Sequence, residues 1–175
     1  MEGMATHEAG QSQRQLIVMR HAKAGELPGG PDIERALRPR GQRNAESAGQ
    51  WLAAQGLSPA LVLCSKARRA RQTWQCVSAG LAGEPEVIID ERLYGADAHD
   101  LLGIFSDVDN GVARLLYVGH NPAAAEVTEI LTASPVEFPT AAIAVIGLSG
   151  SWLDLAGDPG GSGELISSWI PRPRD

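Results

Sequence analysis

The chain has 175 residues, 43% of them hydrophobic and 21% charged, with a formal net charge of −6. That length supports one domain with a real core and is too short for two. The acidic balance leaves no electrostatic footprint for nucleic acid or an anionic membrane, and no apolar run approaches the roughly 18 residues that a spanning helix needs.

The first fourteen residues are polar and lack the apolar centre of a signal peptide. Residues 1–14, with His7 and a second possible start at Met4, are expected to be a disordered leader, residues 15–175 a single domain, and the location cytoplasmic. Cys64 and Cys76 have no Cys-x-x-Cys spacing and no clustered histidine beside them, so both are expected to be buried, reduced and structural.

Residues 15–19 form the first expected strand, followed by a loop over 25–32 rich in Gly and Pro. From about Arg40, Ala45, Ala48, Trp51 and Leu52 recur at helical spacing, Trp51 is expected in the core, and Gly56 supplies the stop. Leu61-Val62-Leu63-Cys64 reads as a buried strand. It runs into Ser65, an expected N-cap for a helix with the stripe Ala70, Thr73, Trp74, Val77 and Leu81. Val87-Ile88-Ile89 is a third strand, and Asp97 with Asp100 makes an approximate capping box for a helix through Phe105. Leu115-Leu116-Tyr117-Val118 is the fourth strand. Asn121 is the expected cap of the next helix, with Pro122 at its first position and apolar residues at Ala124, Val127 and Leu131. A further strand covers 141–148, and 151–156 with 165–170 reads as a hairpin at an edge.

This alternation predicts an α/β fold: a mostly parallel central sheet with helices on both faces, right-handed crossovers and a C-terminal hairpin at the edge. Ligands of such sheets bind at the carboxyl ends of the strands. Two strands end there in histidine, one at Arg20-His21 and one at Gly119-His120. Two imidazoles and a guanidinium in one crevice suit a phosphoryl group. After the second strand, Arg68, Arg69 and Arg71 lie near a helix N-terminus that favours anions, and spacing alone does not choose among them.

Three ordered stretches, Leu16 to Lys23 with Arg20-His21, Ser65-x-x-x-Arg69-Ala70-x-x-Thr73, and Val118-Gly119-His120-Asn121-Pro122, resemble the histidine phosphatase superfamily. His-Ala-Lys after Arg20, Asp32-x-x-Arg35-x-Leu37-x-x-x-Gly41 and Glu91-Arg92-Leu93-Tyr94-Gly95 are most similar to its SixA-like phosphohistidine phosphatases. The resemblance covers about residues 15–150 and implies a phosphoglycerate mutase-like fold. It makes His21 the nucleophile, groups Arg20, Arg69 and His120 around the phosphoryl oxygens, and leaves Lys23, Arg35 and Asn121 as substrate-binding candidates. Departures from the superfamily pattern are Lys66 where proline is common, Ala22 where glycine is common, and Arg38 where threonine is common.

The resemblance thus implies a phosphatase working through a phosphohistidine intermediate, without cofactor and, since arginines supply the charge and no carboxylate cluster is arranged for Mg²⁺, without metal. Glu91, after the third strand, is the candidate general acid, weighed against a plain loop carboxylate. Imidazole is a less basic leaving group than an alkoxide, and no long insertion provides a lid. The expected substrate is therefore phosphohistidine on a protein. The alternatives are a small-molecule phosphomonoesterase acting on a phosphorylated metabolite and, less favoured, a non-catalytic phospho-binding module, which would not need to keep His21.

Overall fold

A computed structural model describes residues 13–173. Its first strand, β1 (Arg14–Arg20), sends Leu16 and Val18 to one face of the sheet and Ile17 and Met19 to the other, all four fully buried. A strand buried on both faces must lie in the middle of a covered sheet. The six strands run in the order β3-β2-β4-β1-β5-β6. Here β2 is Leu61–Ser65, β3 is Glu86–Asp90, β4 is Arg114–Gly119, β5 is Ile143–Leu148 and β6 is Gly163–Trp169. The β3/β2, β2/β4 and β4/β1 pairs are parallel, whereas β5 is antiparallel to both β1 and β6.

Helices α1 (Pro39–Ala54) and α2 (Arg68–Ser78) cover the Ile17/Met19 face, and α3 (Ala98–Ser106) and α4 (Ala123–Thr132) cover the other. The capping box of Asp97 and Asp100 starts α3 as the sequence predicts, with both reciprocal bonds made. No helix among the described residues is long and apolar enough to cross a membrane.

Several local expectations are corrected. The segment assigned to the leader reaches too far: β1 begins at Arg14, whose guanidinium donates to the Asn110 and Gly150 carbonyls, while residues 1–12 lie outside the described residues. Trp51 is only half-buried and stacks on Trp169 with ring centroids 6.5 Å apart. The helix buries its small residues instead, and at Gly49 a Cβ would run into the Val77 carbonyl of α2. Cys64 is buried with its thiol pushed up to about 12 by desolvation, but Cys76 is half-buried; both are free.

At the edge, residues 151–156 are not a strand. They form a 3-10 turn (Trp152–Ala156) capped by Ser151, and the antiparallel edge pair is β5 with β6. Ser65 is the last residue of β2 rather than an N-cap, since α2 starts three residues later with Ala67 at the cap position. Pro122, not Asn121, occupies the cap of α4, although the Asn121 carboxamide oxygen still accepts from the Ala125 N–H at 3.3 Å.

Candidate active site

Because β1 and β4 are adjacent and parallel, with Arg20 paired to Gly119, the two strand-end histidines emerge side by side. The His21 N–H donates to the Gly119 carbonyl at 2.9 Å, and the imidazole centroids are 5.2 Å apart. Gly119 itself must be glycine, because a Cβ there would collide with the Tyr117 ring. That phenol accepts from the His120 N–H at 3.3 Å.

His21 is 7% exposed. Its Nδ1 lies 2.8 Å from the Ala22 carbonyl, which can only accept, so Nδ1 carries the hydrogen and Nε2 keeps its lone pair. Arg69 Nε donates to that Nε2 at 3.3 Å. Burial, opposed by the bond to Ala22 and reinforced by the charges of His120, Arg69 and Arg20, lowers the His21 pKa to about 3. At neutral pH the ring is therefore uncharged, with the Nε2 lone pair available.

His120 is fixed in the same way. Its Nδ1 faces Arg69 Nη2 at 3.5 Å, and since arginine only donates, Nε2 bears the hydrogen and donates to Ser65 Oγ at 2.8 Å. Burial first, then the Arg69 charge, pulls its pKa down to about 4. Tyr94 packs edge-on against the His120 ring, with centroids 5.7 Å apart.

Arg69 is the most heavily constrained cation. It is 5% exposed, with Nη1 on the Asp32 carbonyl at 2.9 Å and Nη2 on the Asp32 carboxylate at 3.0 Å. The same carboxylate accepts from Tyr94 Oη at 2.7 Å and from Arg35 Nε at 2.9 Å. These donors, Tyr94 foremost, hold the Asp32 carboxyl well below the usual carboxylate range. Thr73 ties α2 to the loop after His21 by accepting from the Ala22 N–H at 2.9 Å while donating to the Arg69 carbonyl at 2.7 Å. Arg68, by contrast, is exposed.

Arg20 donates through Nη1 to the Phe138 carbonyl at 3.1 Å, and its buried Nε has no partner among the described residues. Asn121 Nδ2 donates to the same carbonyl at 2.8 Å. A pocket of about 530 Å³ brings together Arg20, His21, Arg69 and His120 with Lys23, Arg35 and Asn121, and adds Tyr94 and Thr140. Glu91 is not among its lining residues; it is exposed, in the 3-10 turn Glu91–Leu93. Among the described residues no Asp or Glu lines the pocket. Among the described residues no group of three or more His, Cys, Asp or Glu is gathered as a metal site would require.

Sequence reasoning did not single out Asp32, Tyr94, Ser65 or Thr140 for the site. Asp32, Tyr94 and Ser65 sat inside the quoted family-like segments, which was the available signal.

Two imidazoles held neutral beside two guanidinium groups form a pocket built to receive a phosphoryl group. The sequence profile of the histidine phosphatase superfamily (branch 1) matches residues 16–126, and the chain belongs to that superfamily. An uncharacterized protein of Mycobacterium tuberculosis (strain H37Rv) is 37% identical over 165 residues, spanning 88% of this chain and all of the relative. Among solved structures, a Nakamurella multipartitia protein assigned as the phosphohistidine phosphatase SixA superimposes with a TM-score of 0.79 at 31% identity, covering 93% of this chain and 98% of its own. The protein histidine phosphatase SixA complexed with tungstate gives 0.74 at 26% identity, covering 88% and 95%. The chain is thus a SixA-like phosphatase, and phosphoglycerate mutase-like in fold.

Proposed function

We propose that the protein removes the phosphoryl group from phosphohistidine on another protein, through a phosphorylated His21 and without a metal ion. His21 Nε2 attacks phosphorus in line as the P–N bond of the substrate breaks. The substrate imidazole leaves and takes up a proton from water. Water then cleaves the Nε2–P bond, releasing inorganic phosphate and restoring His21. Arg20, Arg69 and His120 surround the equatorial oxygens, and the guanidinium groups neutralise the dianion that would otherwise repel the nucleophile.

One observation carries the choice of substrate: among the described residues no carboxyl group lines the pocket, and the nearby Asp32 is ionised and taken up by three donors. An alkoxide leaving group requires a proton from a positioned acid, whereas a departing imidazole needs little help. The structural neighbour named as the protein histidine phosphatase SixA, at 26% identity, supports the same reading.

The experiment is a rate comparison on the full chain between a histidine-phosphorylated peptide and a panel of sugar phosphates, with acid-labile labelling of His21 followed by quench. Preference for the peptide with label on His21 is expected. Faster turnover of a sugar phosphate would replace this reading with the phosphomonoesterase one.

A further inference from the structure

Charge is spread unevenly along this acidic chain. Residues 20–71 hold ten of its 15 Lys and Arg but only four of its 21 Asp and Glu, so this stretch is positive in a chain of net charge −6. The same stretch supplies most of the pocket wall, including Arg20, His21, Lys23, Arg35 and Arg69.

Three of its cations belong to segments that border the pocket without lining it. Arg38 rests on the loop at Gly25, where a Cβ would meet its side chain at 3.6 Å, and its N–H donates to the Lys23 carbonyl at 2.9 Å. Lys66 and Arg68 sit on the short connection between Ser65, bonded to His120, and Arg69, bonded to His21. Arg38 therefore belongs to the loop that borders the pocket, and Lys66 and Arg68 belong to the β2–α2 connection that borders it. The ion pairs among the described residues are those of Arg35, Arg69 and Arg92; Arg38, Lys66 and Arg68 form none, and the loop carboxylates Glu26 and Glu34 pair with none of them.

Cations that form no ion pair within the fold are available to charges that a partner brings. Cations outside the pocket wall cannot reach a small substrate seated within it, but they can reach a macromolecule whose phosphorylated side chain enters. Building on the phosphohistidine reading above, we propose that Arg38, Lys66 and Arg68 form a docking rim for an acidic protein surface, so that the preferred substrate is a phosphohistidine set among Asp and Glu. Such complementarity speeds encounter and fixes register, and it weakens with salt.

Three dye-labelled peptides of equal length, phosphorylated on one histidine flanked by Glu, Ser or Lys, test the proposal on the full chain. At low salt kcat/KM is expected to fall from the Glu to the Lys peptide by about tenfold or more, a gap that 0.5 M NaCl should largely close. The triple variant Arg38→Glu/Lys66→Glu/Arg68→Glu should reverse the order while leaving turnover of p-nitrophenyl phosphate within about twofold. Equal rates on the three peptides, or an equal loss on p-nitrophenyl phosphate, would overturn the rim and leave the phosphatase reading standing. Should no substrate be turned over, that reading fails, and fluorescence anisotropy of the same peptides still decides: tighter binding of the Glu peptide upholds the rim, and equal binding refutes it.

Discussion

Asp32 grips Arg69 from two directions, its carbonyl on Nη1 at 2.9 Å and its carboxylate on Nη2 at 3.0 Å, which leaves Nε to point at His21 Nε2 at 3.3 Å. A long, rotamer-rich side chain is thus fixed before any substrate arrives, which is where preorganised stabilisation comes from. Replacing the carboxylate by an amide keeps the carbonyl bond and removes both the ionic partner and a negative charge near the incoming phosphate. Asp32→Asn should therefore lower kcat by about tenfold while KM for p-nitrophenyl phosphate stays level or falls. An unchanged kcat with a raised KM would show that Asp32 merely shapes the entrance.

The proposed nucleophile, His21, and its neighbour Arg69 should separate cleanly in magnitude. His21→Ala should abolish both turnover and the acid-labile phosphoenzyme, whereas Arg69→Ala should retain a phosphoenzyme and lose about two to three orders of magnitude in rate. Tungstate or vanadate should inhibit competitively and occupy the space among Arg20, His21, Arg69 and His120 in a crystal. Density for the anion elsewhere, or an active His21→Ala protein, would remove the assigned mechanism.

How much of this was legible beforehand follows from the kind of constraint each residue obeys. His21 and His120 could be paired from sequence because each follows a buried strand, and strand ends of one parallel sheet converge. The choice of Arg69 over Arg68 came only with the family-like motif, since consecutive residues at a helix start point to different sides and neither carries an apolar marker. Asp32 stayed hidden because a carboxylate in a Gly- and Pro-rich loop looks like solvent-facing polarity until the loop folds back over the pocket, pinned by the Ala24–Leu37 bridge. Residues 151–156 were misread for a simpler reason: buried Trp152 and Leu155 are three apart, a spacing of a tight helical turn, but they lie in a run short enough to pass for a strand.

Acid should destabilise the fold through its two site histidines. Their pKa values are lowered to about 3 and about 4 in the folded chain, while an unfolded imidazole titrates near about 6.5. Across that interval the unfolded chain binds more protons, so stability rises with pH and is lost as pH falls below about 6.5, by at most about 1.4 kcal/mol per unit for each histidine. Asp32, whose carboxyl is held low, adds its loss only below about pH 4. Tm should thus decline from pH 7 to 4.5 in phosphate-free buffer. The double variant His21→Ala/His120→Ala should show a flatter profile, and parallel profiles for the two proteins would refute the assignment.

Glu91 gives the sharpest test of what leaves from phosphorus. It is exposed in the turn after β3, and although Tyr94 and Gly95 just beyond it line the pocket, Glu91 does not. A general acid must come within hydrogen-bond reach of the leaving oxygen, directly or through one water. If a closing motion brought Glu91 there, Glu91→Gln would slow alkyl phosphates by about 10²-fold and spare aryl phosphates and phosphohistidine, whose leaving groups need less protonation. The geometry predicts the other outcome: alkyl phosphate, p-nitrophenyl phosphate and phosphohistidine peptide all change by less than about twofold, because the carboxylate lost is a surface one. A large loss confined to the alkyl substrate would make Glu91 the missing acid and turn the protein toward phosphorylated metabolites.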